Sequence, residues 1–226
     1  MTVLGIETAT AVCAAALISD GHIEKESRLD AGRVHAERLL GQIVEVLGAS
    51  GVGALGGVAV SIGPGSFTGL RIGVSVAKGL TFARGIPLAA VPTLEALALH
   101  AAATDALEPG TRLLAALDAR RNEVYCQMFD VATGGPVPAG DPRDLTLEAL
   151  RAELGGVAWA VTGDAAAKIT EAFAPGMSLR AVSAAARACS AVAVARIGER
   201  LLAAGRVEDP AVLEPRYIKE FFLTSR

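Results

Sequence analysis

Apolar residues come in short runs at the start of the chain and in spaced positions further on, and the change of rhythm predicts the elements. Val3 to Ile6 and Val12 to Ile18 read as two short buried strands, and Asp20-Gly21 is a two-residue hairpin signal leading into a third strand over His22 to Leu29. From Arg33 to Leu47 the apolar positions Leu39, Leu40, Ile43, Val44 and Leu47 follow a helical period, and Gly48 and Gly51 supply a stop. Val58 to Ile62 is uniformly apolar, as a central or parallel strand should be. A tight turn and a helix over about Thr68 to Arg84 follow, then a strand at Leu88 to Val91 and a helix from Pro92-Thr93 to about Ala103. The first hundred residues therefore spell βββαβα.

Thr104 to Gly110 reads as a lobe boundary, dividing the chain into 1–104 and 105–226. Beyond it the pattern predicts strands at Leu113 to Leu117 and Glu123 to Val131, with a turn at Arg120-Arg121-Asn122 between them. A Gly- and Pro-rich surface connection covers Thr133 to Asp144, followed by a helix at Leu145 to Leu154 and a strand at Val157 to Val161. A turn at Gly163-Asp164 leads into a helix at Ala165 to Phe173, and a long Ala-rich helix covers Ser183 to Ala204. The tail, about 209–226, carries the apolar pair Phe221-Phe222 and is a candidate to pack back on the first lobe. Both halves begin with strands and continue with helices and further strands. Two such lobes around a cleft resemble the actin-like (ribonuclease H-like) ATPase and sugar-kinase fold, an α/β class.

Composition narrows the field. Of 226 residues, 52% are hydrophobic and only 20% charged, so a folded core is required; with 4% aromatics it must be built from Ala, Val, Leu and Ile. A net charge of −3 argues against a domain that wraps nucleic acid by itself. The three cysteines, Cys13, Cys126 and Cys189, are far apart and read as reduced thiols of a cytoplasmic protein. No basic region precedes an apolar run at the N-terminus, and no segment approaches the roughly 20 clean apolar residues of a membrane helix.

Candidate chemistry concentrates in Gly63 to Gly73, GPGSFTGLRIG. Its glycines permit close backbone approach, and Ser66 or Thr68 can cap the following helix. Such a strand–turn–helix unit either holds an anion or is simply a capped turn. Gly69, Gly73 and Ala77 recur every four residues and form a smooth stripe, suited either to packing within this chain or to an intermolecular helix seam. No Asp or Glu occurs between Glu45 and Glu95, and His22, His35 and His100 stand alone, so no zinc-type cluster is visible. His35 reads as a surface residue at a helix start, with a base or ligand role as the alternative. Glu7-Thr8-Ala9-Thr10, Asp118-Ala119-Arg120 and Gly163-Asp164 sit where an actin-like fold places its two phosphate hairpins and its nucleoside-side turn. There is no GxxxxGK[ST] and no GxSxG.

Leu4-Gly5-Ile6-Glu7-Thr8-Ala9-Thr10, the long GPGSFTGLRIG run, Leu117-Asp118-Ala119-Arg120 with Glu123-Val124-Tyr125, and Pro215-Arg216-Tyr217 together resemble the TsaB (YeaZ) family. The resemblance implies a non-catalytic subunit of the bacterial machinery that makes N6-threonylcarbamoyladenosine (t6A) in tRNA. It implies pairing with the metal-bearing transferase TsaD, joined by the ATPase TsaE, a homodimer when alone, and contact with tRNA only through the complex. The transferase's two metal-binding His positions correspond to Thr93 and Leu97 here, which implies that the transfer centre is absent. Glu7 stands where the family commonly has Asp, and Arg120-Arg121 follows Asp118 in place of glycines. The expectation is no resident cofactor and at most weak ATP or ADP binding, through Glu7, Thr8, Thr10, Asp118 and Gly163. Leu39, Ile43, Gly69, Leu70, Gly73, Val74 and Ala77 are the expected partner interface. A small ATP-dependent kinase or ATPase is the alternative; a metallopeptidase, the third reading, lacks its His pair.

Overall fold

The computed structural model describes residues 1–30, 32 and 34–218. Its first sheet holds β1 (Thr2–Glu7), β2 (Val12–Ser19), β3 (His22–Asp30), β4 (Gly57–Gly63) and β5 (Leu88–Pro92) in the order β3-β2-β1-β4-β5. The three N-terminal strands form an antiparallel meander, and β4 and β5 add in parallel to β1. Central β1 and β4 are buried on both faces, as their continuous apolar runs require. Edge strand β3 is mostly exposed and charged, which discourages edge-to-edge pairing.

Helix α1 (His35–Leu47) buries His35, Leu39, Ile43, Val46 and Leu47, one stripe of a 3.6-residue period. Helix α2 (Phe67–Arg84) begins where the Ser66 side chain accepts a bond from the Gly69 N–H at 3.2 Å, and stops at Gly85, which takes the left-handed conformation at φ 63°. Helix α3 (Thr93–Thr104) packs between the two sheets.

The second sheet holds β6 (Arg112–Asp118), β7 (Glu123–Ala132), β8 (Gly135–Pro138), β10 (Trp159–Thr162) and β11 (Leu179–Ala181) in the order β11-β10-β6-β7-β8, with β9 (Arg143–Thr146) also on β7. β6 and β7 form an antiparallel hairpin, while β10 and β11 run parallel to β6. The two sheets thus repeat one topology, which is the shared plan read in the two halves of the sequence. Helices α4 (Leu147–Leu154) and α5 (Ala166–Phe173) cover a face of the second sheet and bury Leu150, Leu154, Ile169 and Phe173 with Trp159.

Three expectations change. The stretch 133–144 is not a plain connection: β8 pairs with one half of β7 and β9 with the other. Pro136 and Pro138 fit there because β8 is an edge strand, where a missing N–H breaks no ladder. The short strand β11 went unread. The Ala-rich helix 183–204 is only its second half, α6 (Ala191–Ala203), started by Ser190 accepting from the Ala193 N–H at 3.4 Å. Residues before it are held by side chains from elsewhere. Ser183 bonds Asp105 through its N–H (2.8 Å) and hydroxyl (2.6 Å), and Thr162 donates to the Ala186 carbonyl (2.8 Å). These anchors override alanine's helix preference.

α6 also leaves the sheet that precedes it and docks on the first. A Cβ at Gly5 would lie 2.2 Å from the Ala191 carbonyl oxygen, and one at Gly198 would lie 2.1 Å from the Ala59 Cβ. Division at 104/105 therefore separates the two sheets, but the second segment crosses back. The tail continues along the first lobe: Glu208 N–H donates to Leu88 O (2.8 Å), Lys78 reaches Leu213 O (3.1 Å), and Arg216 N–H donates to Ile62 O (2.7 Å). Phe221-Phe222 lies outside the described residues.

Candidate functional site

Two turns of the first lobe face two turns of the second across a cleft of about 630 Å3. From the first lobe come Ala9, Thr10 and Ala11, after β1, and Gly65, Ser66, Phe67 and Thr68, ahead of α2. The turns are tied together by the Ser66 N–H donating to Ala9 O at 2.6 Å. Gly65, at φ 158°, allows this approach, since a Cβ there would lie 2.3 Å from the same oxygen. The second lobe contributes Leu117, Asp118, Ala119, Arg120, Tyr125 and Asp164. An adjoining cavity of about 240 Å3 adds Asp30, Gly163, Arg187 and Cys189.

The second-lobe wall is a polar network. Lys168 Nζ bridges Asp118 Oδ1 (2.8 Å) and the Arg121 carbonyl (2.6 Å), and the Asp118 N–H donates to Asp164 Oδ1 (2.8 Å). Burial, with the neighbouring Asp118 charge, pushes the Asp164 carboxyl above its ordinary range. Arg120 and Arg121 both take left-handed backbone conformations, φ 71° and 52°. The turn therefore forms without the glycines that usually relieve such geometry, and it sets Arg120 at the cleft.

Among the residues singled out for a nucleotide, Thr10, Asp118 and Gly163 line these cavities. Glu7 and Thr8 do not: both are fully buried beneath them. Glu7 Oε1 accepts from the Ala9 N–H at 2.5 Å, Oε2 has no hydrogen-bond partner, and burial lifts the carboxyl to about 7. Thr8 is pressed under α2, and this explains the small-residue stripe. A Cβ on Gly69 would lie 2.1 Å from Thr8 O, and one on Gly73 would lie 2.3 Å from Thr8 Oγ1.

The expected interface residues are likewise turned inward. Leu39, Ile43, Gly69, Leu70, Gly73, Val74 and Ala77 are all buried in the chain's own core. α2 is apolar on two faces, so spacing alone could not say which one is inside. The outward faces of α1 and α2 carry other residues. Leu40 is 56% exposed, Val44 70% and Phe82 82%. Ala36, Phe67, Thr68, Arg71, Ile72, Ser75 and Val76 line an open groove of about 470 Å3. Gly41 and Gly79, on the same two helices, have open space around them.

His35 is not a surface residue either. It is buried, and its Nε2 donates to the Val12 carbonyl at 3.1 Å. Cys13, Cys126 and Cys189 are free buried thiols, as read. Thr93 Oγ1 accepts from the Gly63 N–H at 3.0 Å, and Leu97 is fully buried in the second core, so both side chains serve the fold. Sequence reasoning missed Tyr125 and Arg187 as cleft residues, and Lys168 as the side chain that ties the second-lobe wall together. It also missed Tyr217, which stacks on Phe67 (centroids 5.1 Å) and accepts from Arg71 Nε at 3.1 Å. No helix among the described residues is long and apolar enough to cross a membrane.

A family model described as TsaD, tRNA N6-adenosine threonylcarbamoyltransferase, matches residues 29–135. A tRNA threonylcarbamoyladenosine biosynthesis protein TsaB from Escherichia coli is 39% identical over 127 residues, 55% of this chain and 53% of that protein. Its namesake from Bacillus subtilis is 32% identical over 136 residues, 59% and 57%. The match thus spans little more than half the length of these curated relatives. The solved structure of YeaZ from Pseudomonas aeruginosa superposes with a TM-score of 0.81 at 29% identity, covering 96% of this chain and 99% of that one. With the actin-like two-lobed fold, the cleft turns and GPGSFTGLRIG in place, the chain is similar in sequence and structure to the TsaB/YeaZ proteins.

Proposed function

We propose that the chain is a non-catalytic subunit of t6A synthesis that supports a TsaD-type transferase by docking on it through the outward faces of α1 and α2. The observation that carries this reading is the exposed apolar surface of Leu40 and Val44 on α1 and Phe82 on α2, together with the open groove lined by Phe67, Ile72 and Val76. Scattered apolar side chains are ordinary on a protein surface, but a groove and three strongly exposed large residues on two adjacent helices fit a helix–helix contact. Exposed Gly41 and Gly79 allow the close backbone approach first assigned to the inward stripe. Thr93 and Leu97, doing structural work where the transferase has metal ligands, support a non-catalytic role.

The same face serves a homodimer when the chain is alone, so the homodimer and the transferase pair exclude each other. A TsaE-type ATPase joins the pair, tRNA is reached only through the assembly, and the setting is cytoplasmic. The cleft, with Thr10, Ser66 and Arg120 on its walls, favours a second reading in which the chain binds ATP or ADP weakly; turnover would make it an ATPase or kinase. The deciding experiment is co-purification with the transferase of the same organism, followed by a tRNA modification assay with and without this chain. Modification that needs this chain, together with no ATP turnover by the chain alone, is the expected result. Enzyme-like ATP hydrolysis or adenosine modification by the isolated chain overturns the reading.

A further inference from the structure

A second cavity, of about 180 Å3, shares no residue with the cleft and lies where the two lobes meet. Glu95 and Leu99, one turn apart on α3, form one wall; Ile197, Arg200 and Leu201, on one face of α6, form another. The second sheet closes it with Phe129 of β7 and the rigid Pro136 and Pro138 of β8. An apolar chamber of this size is smaller than a drug-sized pocket and suits a molecule with one aliphatic side chain.

Its polar groups are few and of opposite sign. Glu95 is half-buried, and among the described residues it has neither a hydrogen bond nor an ion pair. Burial pushes its carboxyl up, while Arg206 and Arg216 pull it back from a distance. Arg200 is exposed and stands at the open side of the cavity; among the described residues it has no ion pair, and its one hydrogen bond runs from Nε to the Arg196 carbonyl of its own helix at 3.4 Å. At Glu95 burial outweighs Arg206 and Arg216, so the half-buried carboxylate still lacks a direct contact that a bound cation would supply. A carboxylate acceptor and a guanidinium fork on the walls of one apolar chamber are complementary to an ammonium and a carboxylate on one carbon skeleton.

We propose that this seam cavity binds a free L-α-amino acid with a branched aliphatic side chain, its ammonium on Glu95, its carboxylate on Arg200, and its side chain among Leu99, Phe129 and the two prolines. Such a ligand would touch α3, α6 and the second sheet at once, and so bind best when the lobes keep their present relative position.

Isothermal titration calorimetry of the intact chain with L-leucine tests this, with 4-methylpentanoate (no ammonium) and 3-methylbutylamine (no carboxylate) as the cut-down ligands. Saturable leucine binding is expected, weakened about tenfold or more by loss of either ligand charge and by Glu95→Gln or Arg200→Gln. Glu95→Gln should melt close to the parent, because it removes both the burial penalty on the carboxylate and its attraction to Arg206 and Arg216. Leu201→Trp, which fills the chamber, should abolish leucine binding and gives an independent reading should either charge variant fold poorly. No saturable heat at millimolar leucine, equal binding of the cut-down ligands, or leucine binding that survives Leu201→Trp overturns the proposal.

Discussion

Glu7 is a fully buried carboxyl in the first lobe. It holds one backbone N–H on Oε1 and leaves Oε2 without a partner, and burial raises it from 4.5 to about 7. The folded pKa lies above the unfolded one, so the fold takes up a proton that the unfolded chain has released. Stability contributed by this group is complete below about pH 4.5, declines as pH rises through 7, and is flat above. A shift of that size corresponds to at most about 3 kcal/mol. Glu7→Gln keeps an acceptor for Ala9 and removes the charge. The variant should be more stable than the parent at pH 8 and nearly equal near pH 4.5, by urea denaturation at both. A difference between the two proteins that does not change with pH would refute the assignment. Gly69 makes a second residue-level prediction. With Thr8 O 2.1 Å from where its Cβ would be, Gly69→Ala should destabilise by about 1–3 kcal/mol. That loss should appear in the melting temperature, with partner affinity per folded molecule unchanged.

Elements were legible where one rule dominated. The period of α1, the continuous apolar runs of β1 and β4, and the Ser66 cap of α2 are all local signals, and each element lies within a few residues of its expected bounds. β8 was not legible, because the glycines and prolines of 133–144 are turn residues by themselves and form a strand only when β7 offers an edge. The long helix before α6 failed for the converse reason: alanines favour a helix, but Asp105, Thr162 and Ser190 hold the chain otherwise. α6 itself has a testable consequence. It lies directly on β1 over Gly5, so Gly5→Ala, with its Cβ 2.2 Å from Ala191 O, should cost about 1–3 kcal/mol or more. Chemical denaturation should report it as a loss of global stability, since α6 ties the C-terminal part of the chain to the first sheet. A neutral result would mean that α6 docks less closely than described.

For the molecule as a whole, the prediction concerns the outward face of α1 and α2. Val44→Glu and Phe82→Glu replace exposed residues that touch little of the core, so each should leave the melting temperature within about 1 °C of the parent. Together they should lower affinity for a TsaD-type partner by tenfold or more, because a charge is buried unpaired at a helix–helix contact. Size-exclusion chromatography should show the homodimer weakened in parallel. Full retention of both associations would move docking to another surface.

By itself the sequence determined the α/β class, the repeated order of strands and helices, the capped glycine turn before α2 and the family resemblance, because these rest on local periodicity and on short contiguous motifs. Tertiary structure alone decided which face of α2 is inside, that Glu7 and Thr8 lie beneath the cleft and not in it, and that α6 returns to the first sheet. Those outcomes depend on which apolar surfaces meet and how closely glycine lets them approach, and a helix that is apolar on two faces carries no record of that choice along its own length.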